Sequence, residues 1–88
     1  MSAAPSPPAV VLYSAPACHL CDRARVVITA LRDEVEFSLT EIDITGDEEL
    51  EARYREWLPV VEIDGRRAFV YYVDREQLRQ KLAAQSQA

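Results

Sequence analysis

The two cysteines of the chain, Cys18 and Cys21, lie three positions apart within the stretch YSAPACHLC. Side chains at this spacing on a helix share one face, so the two sulfur atoms can come within disulfide-bonding distance. Such a pair can exchange disulfides, supply two ligands to a metal site, or sit in a hydrophobic core as small buried side chains. The surrounding sequence has to distinguish these three uses.

The composition is typical of one small globular domain. The chain has 88 residues, of which 49% are apolar and 28% are charged, and its formal net charge is −5. Nucleic acids and anionic membranes select basic surfaces, so this acidic balance argues against both as partners. No apolar run has the length of a membrane span, and the apolar patch near the start is too short for a secretion signal. We therefore expect a cytoplasmic monomer.

The two ends of the chain differ in composition from the rest. Residues 1–8 consist almost entirely of Ser, Ala and Pro, and the last residues read AAQSQA. Segments of this kind bury little apolar surface and are expected to be mobile. We predict a flexible tail over residues 1–8, a single domain over residues 9–84, and a frayed end over residues 85–88.

The first half of the domain predicts a strand, a helix and a strand. The run AVVLYS at residues 9–14 is continuously apolar and rich in β-branched side chains, which favours a buried strand. A helical stripe follows, formed by Leu20, Ala24, Val27, Ile28 and Leu31. Residues 34–44 alternate and then change phase, which predicts a second strand with an irregularity near Thr40.

The second half predicts a helix, a hairpin and a helix. Thr45 is the predicted first residue of a second helix, because Glu48 follows it at capping-box spacing. In residues 59–72 two β-rich runs flank Asp64-Gly65, the signature of a two-residue hairpin turn. Asp74 is the predicted cap of the third helix.

These elements combine into an α/β fold with the order β-α-β-α-β-β-α. The first β-α-β unit requires a parallel strand pair with a right-handed crossover, whereas the tight turn requires an antiparallel pair. The hairpin register sets Glu62 opposite Arg67. The result is a four-stranded mixed sheet flanked by helices.

In this layout the cysteine pair falls where the first strand ends and the first helix begins, which is the position of a redox motif. Free backbone N–H groups and the helix dipole at Cys18 would stabilise a thiolate, while Cys21 would be shielded one turn into the helix. One exposed nucleophile and one resolving thiol are what disulfide exchange requires.

Two alternatives remain open for the pair. A structural zinc site normally takes four ligands, and beside Cys18 and Cys21 the chain offers only one histidine, His19. No metal site is therefore expected within one chain, but a metal ion or Fe–S cluster bridging two chains is an alternative. A redox-inert domain that binds a protein is the other. His19 itself is either a cation that lowers the pKa of the Cys18 thiol or a solvated residue of the first helical turn.

The stretches LYSAPACHLC, EIDI, LPVVEIDG and YVDREQL resemble the glutaredoxin branch of the thioredoxin superfamily, in particular its small bacterial glutaredoxin-like proteins. The resemblance runs from Val10 to Leu82. It implies a thioredoxin-like fold and a thiol–disulfide oxidoreductase without a bound cofactor, in which Cys18 is the nucleophile and Cys21 the resolving residue. Its implied partners are a disulfide-containing protein and a thiol reductant, either a thioredoxin-type system or glutathione.

The resemblance also implies a substrate-binding region outside the cysteine motif. Leu58–Pro59 would be a cis peptide at which the Leu58 backbone pairs with an extended substrate, and Asp74 matches the acidic residue at the start of the family's last helix. Trp57 stands where a smaller or hydroxyl residue is common, and we expect it, with Asp74, to bind the substrate. Aromatic side chains in so small a core more often serve packing, but four of them could line a partner groove: Tyr13, Trp57, Tyr71 and Tyr72. Two features common in glutathione-binding members are absent: Ala15 stands where a lysine is common, and YYVD replaces a glycine pair before the last helix. We therefore expect protein disulfides to be preferred over glutathione.

Overall fold

The computed structural model describes residues 7–86. Its elements are β1 (Ala9–Ser14), α1 (His19–Leu31), β2 (Ser38–Asp43), α2 (Glu48–Tyr54), a 3₁₀ turn (Arg55–Trp57), β3 (Val60–Ile63), β4 (Arg66–Val70) and α3 (Arg75–Ser86). The predicted order of strands and helices is confirmed.

The four strands form one mixed sheet in the order β2-β1-β3-β4. β1 runs parallel to β2 and antiparallel to β3, and β3 runs antiparallel to β4. Near the end of β1, Tyr13 lies between Ile42 of β2 and Val60 of β3. The C-terminal end of β1 therefore lies next to the N-terminal end of β3.

The β3–β4 hairpin turns through two left-handed residues. Asp64 has a φ of 51° and Gly65 a φ of 82°, as a type I′ turn requires. The Asp64 carboxylate accepts a hydrogen bond from the backbone N–H of Ala9 at 2.9 Å, which ties the turn to the start of β1. The predicted pairing of Glu62 with Arg67 is confirmed, and a register irregularity lies beside it.

Helices cover the sheet unequally. The face under α1 and α3 carries the larger core, in which Leu12, Ile28 and Leu78 are fully buried. The opposite face, under α2, carries a smaller cluster built on Ile44, Tyr54 and Val60. Burial of apolar surface stabilises the fold by about 25 cal/mol per Å². Because more apolar surface is buried under α1 and α3, that face supplies most of this stabilisation.

Strand β2 is shorter than predicted. It begins at Ser38 rather than at residue 34, because the N–H groups of Glu34 and Val35 both donate to the carbonyl of Leu31 and close a turn after α1. Phe37 is nevertheless buried in the core. The predicted irregularity near Thr40 is wrong, since β1 and β2 pair residue for residue along their whole length.

The start of α2 is also shifted from its predicted place. Asp47, not Thr45, caps the helix: its carboxylate accepts the backbone N–H of Leu50 at 3.1 Å. By residue type alone, Thr45, Gly46 or Asp47 could cap this helix. Gly46 has a φ of 89° and ends a turn, so the helix begins only at Glu48.

The predicted domain limits can be compared with the described part of the chain. Pro8 is buried and its carbonyl accepts the N–H of Ser38 at 2.9 Å, so tertiary contacts include this residue of the predicted tail. α3 continues to Ser86, two residues beyond the predicted domain end. The rest of the two predicted flexible ends, residues 1–6 and 87–88, lies outside the described residues.

Replacing Ile28 should reveal how strongly the fold depends on the α1 core. Ile28 is fully buried, whereas Val26 on the same helix is 68% exposed. We expect Ile28→Ala to lower the free energy of unfolding by about 2–5 kcal/mol, since a cavity is left, and Val26→Ala to change it by less than about 0.5 kcal/mol. Urea denaturation of both variants measures this. Equal losses would contradict the assigned helix face.

Candidate active site

The cysteine pair lies directly after β1, at the start of α1. Cys18 is the N-cap of α1 and is half-buried, whereas Cys21, in the first turn, has no exposed surface. The two residues form a disulfide, with their Cα atoms 5.2 Å apart. The Sγ atom of Cys18 also accepts the backbone N–H of Cys21 at 3.1 Å. The structure thus brings both predicted catalytic residues together, with one cysteine more accessible than the other.

Two residues flank Cys18 in the sequence: Ala17 before it and His19 after it. His19 is the first residue of α1 and is exposed, so its predicted effect on the Cys18 thiol stays a prediction. Ala17, immediately before Cys18, has a φ of 60°, a left-handed conformation that is uncommon for a non-glycine residue. This turn directs the chain from the sheet edge into the helix.

The second loop of the site comes from the start of β3. The Leu58–Pro59 peptide bond is cis, which is the geometry that the family resemblance implies. Pro59 is buried, and Leu58 is half-buried with an extended backbone, at φ −68° and ψ 143°. Because Val60 pairs with Tyr13 across β3 and β1, this loop lies at the sheet edge from which the cysteine loop also starts.

Trp57 precedes this loop and is 46% exposed. Its ring lies against that of Tyr71, with the ring centroids 6.2 Å apart. The Tyr71 hydroxyl donates a hydrogen bond to the carbonyl of Glu56 at 2.8 Å, and the Tyr71 N–H donates to the carbonyl of Pro59 at 3.0 Å. The sequence predicted Trp57 as a site residue and left Tyr71 open between a partner groove and core packing; the structure places Tyr71 against Trp57.

Asp74, the fourth predicted substrate-binding residue, begins α3. Its carboxylate accepts the backbone N–H of Gln77 at 2.9 Å, so it caps the helix as the sequence predicted. It is exposed, three residues after Tyr71. Capping accounts for Asp74, and a role in substrate binding stays a prediction.

A groove of about 220 Å³ runs between α1 and the segment that joins β4 to α3. It is mostly apolar and is lined by Leu20, Arg23, Ala24, Val27, Tyr71, Tyr72 and Val73. One of these residues, Leu20, lies between the two cysteines in the sequence. Tyr71 belongs both to this groove and to the contact with Trp57.

The side chains of Tyr13 and Ser14, the last two residues of β1, lie on opposite faces of the sheet. Each is hydrogen-bonded to a glutamate of a neighbouring strand. On one face the buried Ser14 donates to Glu41 at 2.7 Å, and the Arg25 guanidinium donates to the same carboxylate. These bonds, those from Arg25 above all, lower the pKa of Glu41. The sequence reasoning missed this group because its members lie on three different elements.

On the other face, Glu62 accepts hydrogen bonds from the hydroxyls of Tyr13 at 3.4 Å and Tyr54 at 3.0 Å. The two tyrosine rings are stacked, with centroids 4.3 Å apart. Burial and then the negative charge of Glu62 raise the pKa of Tyr13 to about 12. Neutral Tyr13 is therefore part of the support beneath the cysteine loop.

Two further observations concern residues 7–86 as a whole. Within this range, no group of three or more His, Cys, Asp and Glu side chains is arranged to hold a metal ion. No helix among these residues is both long and apolar enough to cross a membrane.

Comparison with known proteins assigns the chain to a family. Residues 9–83 match the family model described as Glutaredoxin-like domain (DUF836). The chain is 34% identical over 83 residues to uncharacterized protein Rv0508 of Mycobacterium tuberculosis, covering 89% of this chain and 86% of that protein.

Solved structures give the same result for the fold. The solution structure of protein Ne2328 from Nitrosomonas europaea is similar, with a TM-score of 0.76, 26% identity, and coverage of 93% of this chain and 99% of that one. A variant thioredoxin from Halobacterium salinarum matches with a TM-score of 0.70 at 16% identity, over 92% of this chain and 76% of that one. The latter likeness concerns the fold alone and places the chain in the thioredoxin-like fold.

The tyrosine cluster should make stability sensitive to alkaline pH. Because the pKa of Tyr13 is about 12 in the folded state and about 10 in the unfolded state, its contribution is complete below pH 10. It is lost as pH rises from 10 towards 12, because the folded state then holds a proton that the unfolded state has released. Urea denaturation across this pH range should show a shallower loss for Tyr13→Phe than for the wild type.

Tyr72→Phe is the matched control, because Tyr72 is 69% exposed. It should follow the pH dependence of the wild type. Identical slopes for all three proteins would contradict the assignment to Tyr13.

Proposed function

The chain belongs to the Glutaredoxin-like domain (DUF836) family, and on that premise we propose that it is a thiol–disulfide oxidoreductase acting on protein disulfides. Its thioredoxin-like fold and its disulfide-bonded Cys18–Cys21 pair indicate redox chemistry in general. The proposal adds the direction of attack, the class of substrate and the source of electrons.

The observation that carries the proposal is the unequal placement of the two sulfur atoms. Cys18 is partly accessible at the helix N-terminus, while Cys21 is completely buried one turn later. A helix start favours the thiolate, which is the nucleophile in disulfide exchange. An intramolecular resolving thiol needs no access to solvent, because its target is the sulfur of Cys18.

The reaction has two exchange steps. The Cys18 thiolate attacks one sulfur of the substrate disulfide, forming a mixed disulfide and releasing the other substrate sulfur as a thiolate, which takes up a proton. The Cys21 thiolate then attacks the Cys18 sulfur, and the second substrate thiolate leaves. The substrate gains two electrons and two protons, and the protein ends with the Cys18–Cys21 disulfide.

A thiol reductant returns the protein to its dithiol form by the same chemistry in reverse. We propose a thioredoxin-type dithiol or two molecules of glutathione for this step, acting on a monomer in the cytoplasm, where such reductants maintain thiols. His19 would contribute a cation beside the Cys18 thiolate when protonated.

Two features support a protein substrate over glutathione. Ala15 packs against the smaller core cluster, so this position supplies no cation for a glutathione carboxylate. Tyr71 reaches across to Trp57 and occupies space beside the Leu58–Pro59 loop. An extended protein segment can instead pair with the backbone of Leu58 and spread its contacts over the groove along α1.

The roles of the two cysteines can be separated by substitution. We expect Cys18→Ser to abolish exchange, and Cys21→Ser to attack a disulfide once and then remain as a mixed disulfide with the substrate. Non-reducing electrophoresis and mass spectrometry of the trapped species measure this. Trapping by the Cys18→Ser variant instead would reverse the assignment.

Substrate preference is tested by steady-state reduction of a disulfide-bonded protein and of a glutathionylated peptide. Since a charge-assisted hydrogen bond contributes about 1.5–3 kcal/mol, we expect kcat/KM to be about ten- to a hundred-fold higher for the protein. Ala15→Lys is the diagnostic variant, and it should raise activity towards the glutathionylated peptide alone. Saturable turnover of that peptide by the wild type at the rate of the protein substrate would contradict the preference.

A further inference from the structure

Tyr71 has a backbone conformation that a bulky side chain seldom adopts. Its φ is 71°, in the left-handed region that favours glycine, and the N–H of Tyr72 donates to the carbonyl of Val70 at 2.8 Å. A hydrogen bond across one residue of positive φ defines the classic γ-turn, which is rare and strained. A strained residue persists only where its surroundings hold it, and such residues concentrate at functional sites.

The other left-handed non-glycine residues among those described are Ala17 and Asp64. Asp64 is explained by the hairpin, which requires this conformation at its turn. Ala17 immediately precedes Cys18. Tyr71 is thus the one large side chain of the three, and no hairpin accounts for it.

Besides lining the groove along α1, Tyr71 makes two hydrogen bonds and a ring contact to the loop that carries the cis proline. Its N–H donates to the Pro59 carbonyl, its hydroxyl donates to the Glu56 carbonyl, and its ring lies on that of Trp57. Tyr71 therefore contacts Trp57 itself and the backbone on either side of it. The two hydrogen bonds hold Tyr71 on the loop, and its ring lies against Trp57, whose side chain is 46% exposed.

The surface that results is aromatic and lies beside the redox motif. Among residues 7–86, the exposed large apolar side chains are Trp57, Tyr71 and Tyr72, which lie on or next to the two loops of the site, and Val26, which lies elsewhere on α1. The Tyr71 hydroxyl is already engaged by a backbone carbonyl, so what this surface offers a ligand is mainly ring faces. Ring faces of this kind bind apolar and aromatic side chains.

We propose that Tyr71 is a positioning residue that holds Trp57 as a platform for an apolar side chain next to the reactive cysteine of the substrate. The inference rests on the proposed oxidoreductase function and specifies its substrate class: protein disulfides whose cysteine is flanked by an apolar residue. The left-handed backbone of Tyr71 is retained because it brings the ring onto Trp57.

The test uses two disulfide-linked peptides that differ at one residue beside the reactive cysteine, leucine in one and serine in the other. An aromatic contact of this type changes affinity by about two- to tenfold, and we expect the wild type to prefer the leucine peptide in kcat/KM by that factor. Tyr71→Gly, Tyr71→Asn and Trp57→Ala should each bring the ratio to within about twofold of one. Glycine and asparagine both tolerate a positive φ, so the first two variants remove the ring without new backbone strain.

Two further measurements separate positioning from a structural effect. Reduction of 2-hydroxyethyl disulfide, which has no peptide to dock, gives a reference rate for each Tyr71 variant, so that a lost leucine preference is measured as a ratio and not as a general fall of activity. Tyr71→Phe keeps the ring and should keep the leucine preference. Thermal unfolding of Tyr71→Gly should show no large loss of stability, because glycine relieves the left-handed strain.

The outcomes are distinguishable. An unchanged leucine preference in Tyr71→Gly, or no preference in the wild type, would overturn the inference and leave the oxidoreductase function standing. An equal fall of activity towards both peptides and the small disulfide would also overturn it, by showing that Tyr71 merely maintains the fold. A wild type that reduces none of the three substrates would remove the proposed function, and the inference with it.

Discussion

The packing of α1 against β1 is the interaction on which the site depends. β1 delivers the chain to the sheet edge, and α1 returns over the face on which Leu12 and Ile28 are fully buried. Because both elements are fixed by this core, the connection between them has only four residues in which to place Cys18 at the helix start. The position of Cys18, the proposed nucleophile, is therefore determined by apolar packing several residues away along the chain.

Polar contacts refine what the core determines. Alternate residues of a strand point to opposite faces of a sheet, and here the last two residues of β1 are each held by a glutamate. Ser14 is bonded to Glu41 of β2 and Tyr13 to Glu62 of β3. Arg25 extends the first of these groups back to α1, and the smaller core around Tyr54 extends the second to α2. The strand end that precedes the cysteines is thus restrained by β2, β3, α1 and α2.

Local patterns in the sequence were sufficient for the order of the elements, the β3–β4 turn, the Glu62–Arg67 pairing and the place of the cysteines at a strand–helix junction. They failed where neighbouring residues compete for one role. Asp47 replaced Thr45 as the cap of α2, and the turn after Leu31 took residues that alternate like a strand. Both outcomes depend on which backbone groups are already bonded, and a pattern of residue types does not contain that information.

The site residues divide in the same way. Short motifs drew attention to Cys18, Cys21, Leu58 and Pro59, and the position before Leu58–Pro59 drew attention to Trp57. The contacts of Tyr71 and of the Glu41 group could not be predicted, because they join elements that are distant in sequence and depend on the tertiary fold. A left-handed tyrosine in particular has no signature in a sequence, since positive φ is normally announced by glycine or asparagine.

Trp57 is the single tryptophan of the chain, and it lies half in water against Tyr71 beside the cis-proline loop. Indole emission responds to the polarity of its surroundings, and no second indole contributes a background signal here. The protein therefore contains its own optical probe, located at the surface where a substrate would dock rather than in the core. Ligand association can therefore be followed by Trp57 emission in the unlabelled native chain, without any measurement of catalytic turnover.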